Sequence, residues 1–207
     1  DLHPAWVLEY LPDKSVARTS FEGTRIDQAP ALRVRSDRSY GLVRHAWSGA
    51  HPGVLAWRWR LDEALSASDL QTRQGDDASI KVCVMFDQPI SEVPFLERMT
   101  LQLARQVSQK DLPSATLCYV WDTKYPRGQS GHNPYTARVR YLVVDDASSP
   151  RKQWVEQVRS IKEDFALMFG SESSVMPPVR AILVGADSDN TRQRSLAFVQ
   201  NLRWLTP

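Results

Sequence analysis

The sequence predicts an all-β-dominated fold, a jelly-roll β-sandwich carrying one or two helices. Three observations lead there. Short segments alternate apolar and polar residues with period two along most of the chain. Only two stretches repeat at helical spacing. Turn-forming Gly, Pro, Asn and Asp separate the segments without any linker-like composition. The 207 residues suit a single sandwich domain over 1–207, with 1–30 as an N-terminal strand or extension.

The strands follow in order. Ala31–Arg35 and Tyr40–Ala46 are short, with a polar link between them. In Val54–Leu61, Leu55, Trp57, Trp59 and Leu61 share one side, and Arg58 and Arg60 the other. In Ile80–Asp87, Ile80, Val82, Val84 and Phe86 oppose Lys81, Cys83 and Met85. Leu117–Asp122 is an aromatic strand. In Arg138–Val144, Val139, Tyr141 and Val143 are expected on the core side, opposite Arg138 and Arg140. Ala181–Ala186 is apolar throughout, as in a central strand, and Leu196–Leu205 closes the chain. A helix is expected near 150–169. Ser149-Pro150 marks its start, Trp154, Val158, Ile161, Phe165 and Met168 form its stripe, and Gly170 its stop. A second helix covers Phe95–Val107, with Phe95, Met99, Leu103 and Val107 on one stripe.

Composition narrows the function. Lys and Arg total 26 against 24 Asp and Glu, a net charge of +2, which excludes a wholesale basic grip on nucleic acid. No apolar run reaches the roughly 18 residues of a membrane-spanning helix. The chain begins at Asp1 with no Met, and a signal peptide is expected to have been removed. Cys83 and Cys118 have two readings: buried thiols packed as small hydrophobes, or a cross-strand disulfide of an oxidising compartment. No CxxC or Cys/His cluster suggests zinc.

Three constellations could carry chemistry. The first is acidic: Asp76, Asp77, Asp187 and Asp189 lie on loops flanking strands. They could supply oxygens to a structural Ca²⁺, or make turns, cap amides and pair with Lys81 or an Arg. The second is basic: Arg58, Arg60, Lys81, Arg138 and Arg140 converge on one face if their strands share a sheet, and Arg33 and Arg35 extend it. Such a face suits an anionic polysaccharide. The alternative is a solvated face paired with local acids such as Asp62 and Asp145. The third is aromatic. Trp57 and Trp59 belong to the core. Tyr119 and Trp121 share one side of their strand, and one of them is expected to reach the sheet edge. Trp47 and His45 border a loop at 48–53, and the Tyr125–Tyr135 loop holds His132 and two tyrosines, suited to stacking on sugar or to a plain connection.

Several segments occur together: WRWRLD (57–62), GDDASIKVCVMFD (75–87), LCYVWD (117–122), NPYTARVRYLVVD (133–145), WVEQVRSIKEDFALMFG (154–170) and GADSDNT (185–191). In order and spacing they resemble the bacterial family catalogued as domain of unknown function 3047 (DUF3047), over roughly residues 30–205. The resemblance implies secreted or periplasmic proteins with a jelly-roll sandwich like that of carbohydrate-binding modules, and no particular activity.

The expected function is a secreted or periplasmic non-catalytic module that binds a glycan or envelope polysaccharide, anionic by preference. Its ligand contacts would come from Arg58, Arg60, Lys81, Tyr119, Trp121, His132, Tyr135, Arg138 and Arg140, and Ca²⁺ is the one cofactor considered. The alternatives are a polysaccharide lyase or hydrolase in the same groove, or a protein–protein interaction domain. No E-x-D-x-E pair, no G-x-S-x-G elbow and no phosphate loop supports a specific reaction.

Overall fold

The structure, a computed structural model, describes residues 2–49 and 53–205. Among the described residues, thirteen strands form two sheets. The strands are β1 (Trp6–Glu9), β2 (Ala17–Arg18), β3 (Ser20–Ile26), β4 (Ala29–Asp37), β5 (Ser39–Ala46), β6 (Val54–Glu63), β7 (Ala78–Phe86), β8 (Ala115–Trp121), β9 (Ser130–Asn133), β10 (Thr136–Asp145), β11 (Val155–Ser160), β12 (Val179–Asp187) and β13 (Arg194–Leu205). The helices are α1 (Phe95–Ser108) and α2 (Ile161–Phe169). The larger sheet runs β1-β5-β12-β7-β8-β10-β9, with β2 attached to β5. The smaller runs β11-β6-β13-β4-β3. Pairing is antiparallel except β8 with β10 and β2 with β5. The predicted mostly-β sandwich is therefore the fold.

Alternation builds the core. From the smaller sheet, Leu55, Trp57, Trp59 and Leu61 point inward. From the larger, Ile80, Val82, Val84, Phe86, Leu117, Tyr119 and Trp121 meet them. Trp57 packs on Tyr119 and Trp59 on Trp121, with ring centroids 5.2 and 5.8 Å apart. Each buried Trp contributes roughly 5 kcal/mol of transfer free energy at ~200 Å² of buried surface. Both Tyr119 and Trp121 are thus core residues, and neither reaches a sheet edge for ligand. The larger sheet is also covered outside. Cys83, Met85, Cys118, Val120, Tyr141, Val143, Ala181 and Leu183 form a second apolar layer with Leu70, and Tyr125 packs on it. Cys83 and Cys118 sit opposite each other on β7 and β8 and form a disulfide, the second of the two readings open in the sequence.

The expected helix over 150–169 is corrected. Residues Val155–Ser160 form β11, which pairs antiparallel with the edge of β6, and only Ile161–Phe169 is helical. VEQVRS also alternates with period two, and β6 needs a partner on its open edge. The true start signal is Ser160, an N-cap whose Oγ accepts from Glu163 N. Ser149 instead donates its hydroxyl to Asp145 Oδ1 at 2.8 Å. The helix at Phe95–Val107 is present, extended by one residue.

Asp145, at the end of β10, is wholly buried. It accepts from Trp59 Nε1 (2.7 Å), Gln157 Nε2 (2.7 Å), Ser149 Oγ (2.8 Å) and Arg127 Nη2 (2.9 Å). Two of these donors, Trp59 and Gln157, belong to the smaller sheet, so the carboxylate ties the sheets together. Removing one side of such a buried network leaves the other unsatisfied. Asp145→Ala is expected to lower unfolding free energy by about 3 kcal/mol or more in urea titration followed by tryptophan fluorescence. A loss under about 1 kcal/mol would contradict the staple role.

Candidate functional site

The five basic residues expected on one face are distributed over three places. Arg58 and Arg60 lie on the outer face of the smaller sheet, whereas Lys81, Arg138 and Arg140 belong to the larger. Strand alternation reports sides within one strand and says nothing of which sheet the strand joins. Arg138 and Arg140 are also in phase with the core residues Leu142 and Val144, not opposite them, while Val139, Tyr141 and Val143 face the outer layer. The Arg138 side chain is only 4 % exposed. It forks onto Glu172 at 2.7 and 2.8 Å, donates to Ser114 O at 3.0 Å and pairs with Glu97. Arg140 pairs with the same Glu172, donates to Met168 O and lies 4.2 Å above the Phe169 ring. These two arginines clasp β10 to the turn after α2, and they are spent on structure.

Lys81 is half-buried beside Asp187, donating to both carboxylate oxygens at 3.0 Å. Burial works against its charge, but Asp187 holds the ammonium protonated, above its ordinary range. Asp187 also accepts from Ala78 N. Asp77 accepts from Asn190 N, Asn190 Nδ2 and Thr191 N, and Asp76 from Asn133 Nδ2 at 2.6 Å. The structure therefore gathers Asp76, Asp77 and Asp187 at one end of the larger sheet. Their oxygens are engaged by amides and Lys81. Among the described residues, no group of three or more His, Cys, Asp or Glu is arranged to hold a metal ion. The cavity among Asp76, Lys81, Asn133, Tyr141 and Asp187 is about 40 Å³, enough for water and too small for a sugar ring.

The Tyr125–Tyr135 segment is tied down. Tyr125 donates to Asp69 Oδ1 at 2.5 Å, and Tyr135 donates to Arg73 O while its ring lies under Arg73. His132 is exposed on β9, its ring nitrogen 3.0 Å from Asn133 O. Trp47 packs against Trp204, and the 48–53 loop beside it lies partly outside the described residues.

What remains open is the outer face of the smaller sheet. On β6, Arg58 and Arg60 point out because Trp57, Trp59 and Leu61 are drawn in. On β4, Arg33 and Arg35 point out because Val34 is wholly buried. Between these strands β13 turns Ala197 and Val199 inward and Phe198 to the other side, where its ring is buried beneath the arginine layer. Phe198 is registered opposite both Arg33 and Arg60, Leu196 opposite Arg35, and Gln200 opposite Arg58. Arg58, Arg60, Arg33 and Arg35 therefore form a diagonal across three strands, roughly 17 Å end to end from strand spacings. Aromatic rings floor it: Arg60 lies over Phe198, and Arg58 over Trp154. Arg60 is bidentate on Asp62, and Arg33 pairs with Glu22. The Asp62 hydrogen bond raises the Arg60 pKa, and the Ser20 hydroxyl and Arg33 lower that of Glu22. Among the described residues, Arg35 and Arg58 form no ion pair. Phe198 and Trp154 were missed as companions of the arginines, although the S-L-A-F-V-Q alternation places Phe198 opposite Ala197 and Val199.

A two-layer sandwich with one buried and one arginine-lined outer face is thus the class of protein the structure defines. The family model described as "Protein of unknown function (DUF3047)" matches residues 4–203, and the chain belongs to that family. Among solved structures it is similar to the xyloglucanase domain of NopAA, a type three effector from Sinorhizobium fredii, in complex with cellobiose. The two share 11% identity with a TM-score of 0.45, over 100% of each chain. No curated protein matches the sequence.

Burial pushes the Asp76 carboxyl up to about 6, with Lys81 and Asn133 opposing the rise. A carboxyl raised on folding favours the native state while it is protonated. That contribution is present below the unfolded pKa of about 4 and is lost as pH rises through about 6. Asp76→Asn keeps an acceptor for Asn133 and removes the buried charge. Its melting temperature is expected to exceed the parent's by about 2–4 °C near pH 8, with the gap closing near pH 4. A gap independent of pH would show that Asp76 does not titrate as described.

Proposed function

We propose that the protein is a non-catalytic glycan-binding sandwich, and that it binds an anionic polysaccharide along the outer face of the smaller sheet. The observation that carries this reading is the open diagonal of Arg58, Arg60, Arg33 and Arg35 floored by Phe198 and Trp154. Guanidinium forks bind carboxylate or sulfate through paired hydrogen bonds. A span of roughly 17 Å matches a short run of sugar units rather than one. Arg60 and Arg33 carry exposed or half-buried ion pairs, worth about 0–1 kcal/mol each, which an anionic ligand can displace. We further infer export to an oxidising compartment, the periplasm or the outside of the cell, supported by the Cys83–Cys118 disulfide.

The test is binding to immobilised uronate-rich, sulfated and neutral glycans by biolayer interferometry across a salt series. Uronate or sulfated chains are expected to bind, with affinity falling as salt rises. Arg35→Ala/Arg58→Ala is expected to weaken binding at least about tenfold, as loss of two charge-assisted contacts implies. Undiminished binding in that variant, or binding to neutral glycans alone, would remove this face from the function.

A further inference from the structure

Helix α1 is amphipathic in the wrong sense for a helix packed on a core. Phe95, Leu96, Met99, Leu103 and Val107 are each more than half exposed, and Leu101 is the one buried residue of the helix. At 100° per residue the five exposed side chains share one face, while Glu97, Leu101, Ala104 and Arg105 turn toward the body. The inward face is held by polar ties: Glu97 to Arg138, and Arg105 to Leu112 O. Contiguous exposed apolar surface of this kind marks an interaction site.

We propose that this face is the contact between two copies of the chain, packed with their α1 helices antiparallel about a two-fold axis near position 101. Four of its five residues pair in that arrangement, and Leu96 lies beside them. Phe95 comes opposite Val107, and Met99 opposite Leu103, so each large side chain meets its counterpart rather than itself. The charged ends agree. Glu92, exposed just before the helix, lies opposite the partner copy's exposed Lys110, just beyond its end, and within the chain neither forms an ion pair among the described residues. A two-fold interface of this kind closes without propagating. Antiparallel helices also place the positive end of one dipole beside the negative end of the other.

The size fits. The five side chains offer on the order of 600 Å² per copy, near the lower limit of specific association, so the dimer is a concentration-dependent one. A groove of about 510 Å³ beside α1, lined by Leu96, Thr100, Leu101, Tyr135 and Ala137, extends the surface that a second helix would cover. The surroundings do not favour a lipid surface. Over residues 92–111, Glu92, Glu97 and Asp111 balance Arg98, Arg105 and Lys110, without the cationic excess of membrane-surface helices.

Sedimentation velocity of the full chain, in a series reaching roughly millimolar, reads the state. The parent is expected to shift from monomer to dimer, and Leu96→Glu/Leu103→Glu to stay monomeric with unchanged melting temperature, since both residues are exposed. Glu92→Lys should weaken the dimer about three- to tenfold, and Glu92→Lys/Lys110→Glu should restore it. A parent monomeric throughout, or a dimer untouched by the paired Glu variant, overturns the proposal. Failure of the charge swap to restore overturns the antiparallel arrangement. Co-sedimentation of the parent, but not the Leu96→Glu/Leu103→Glu variant, with anionic phosphatidylglycerol vesicles would reassign the face to a lipid surface.

Discussion

The buried carboxylate of Asp145 is the constraint around which the sandwich is arranged. A carboxylate without water costs several kcal/mol unless its lone pairs are filled. Its four donors come from β6, β11, the 122–129 loop and the turn after β10. All four must arrive together, so one charge fixes the larger sheet's β10 against the smaller sheet's β6 and β11. It also settles the conformation of residues 155–160. As an edge strand, Gln157 reaches Asp145, and its neighbour Arg159 reaches Asp164, which also accepts from Tyr119 at 2.8 Å. A helix over the same residues would carry both side chains out of reach and leave β6 without a partner on that edge.

How much of this was legible in the sequence depends on how sharply each strand separates its two sides. β6 and β7 are read correctly because one side of each is wholly apolar and the other carries Arg58 and Arg60, or Lys81. β10 is not. Past Arg140 both phases are apolar, and the usual rule that arginine points away from the core assigns the wrong one. The rule fails because Glu172 and the Ser114 and Met168 carbonyls supply an inward pair of arginines with partners contributed far along the chain. Membership of a sheet is equally invisible to periodicity. That is why Lys81 and Arg58, alike in pattern, end on opposite sides of the molecule.

The same physics explains the different fates of acids and bases. Asp76, Asp77 and Asp187 sit beside backbone amides, asparagines and Lys81, so their charge is consumed locally. The diagonal arginines lie on a solvated sheet where ion pairs are weak. A net charge of +2 is compatible with an acidic interior cluster and a basic exterior strip because the sum is blind to which charges are already satisfied.

The two unsatisfied surfaces are placed so that they do not compete. Helix α1 belongs to the connection between β7 and β8 of the larger sheet, whereas the arginine diagonal is the outer face of the smaller one. A dimer joined through α1 would leave both diagonals open. Two weak sites on one particle raise the apparent affinity for a repeating polymer through effective concentration, without any new contact. A single site built from four arginines, two of them already paired, would grip a chain loosely. Duplicating the site by symmetry is a route to retention on a polymer that needs no stronger ion pairs, and none of the buried charge that Asp145 shows to be costly to accommodate.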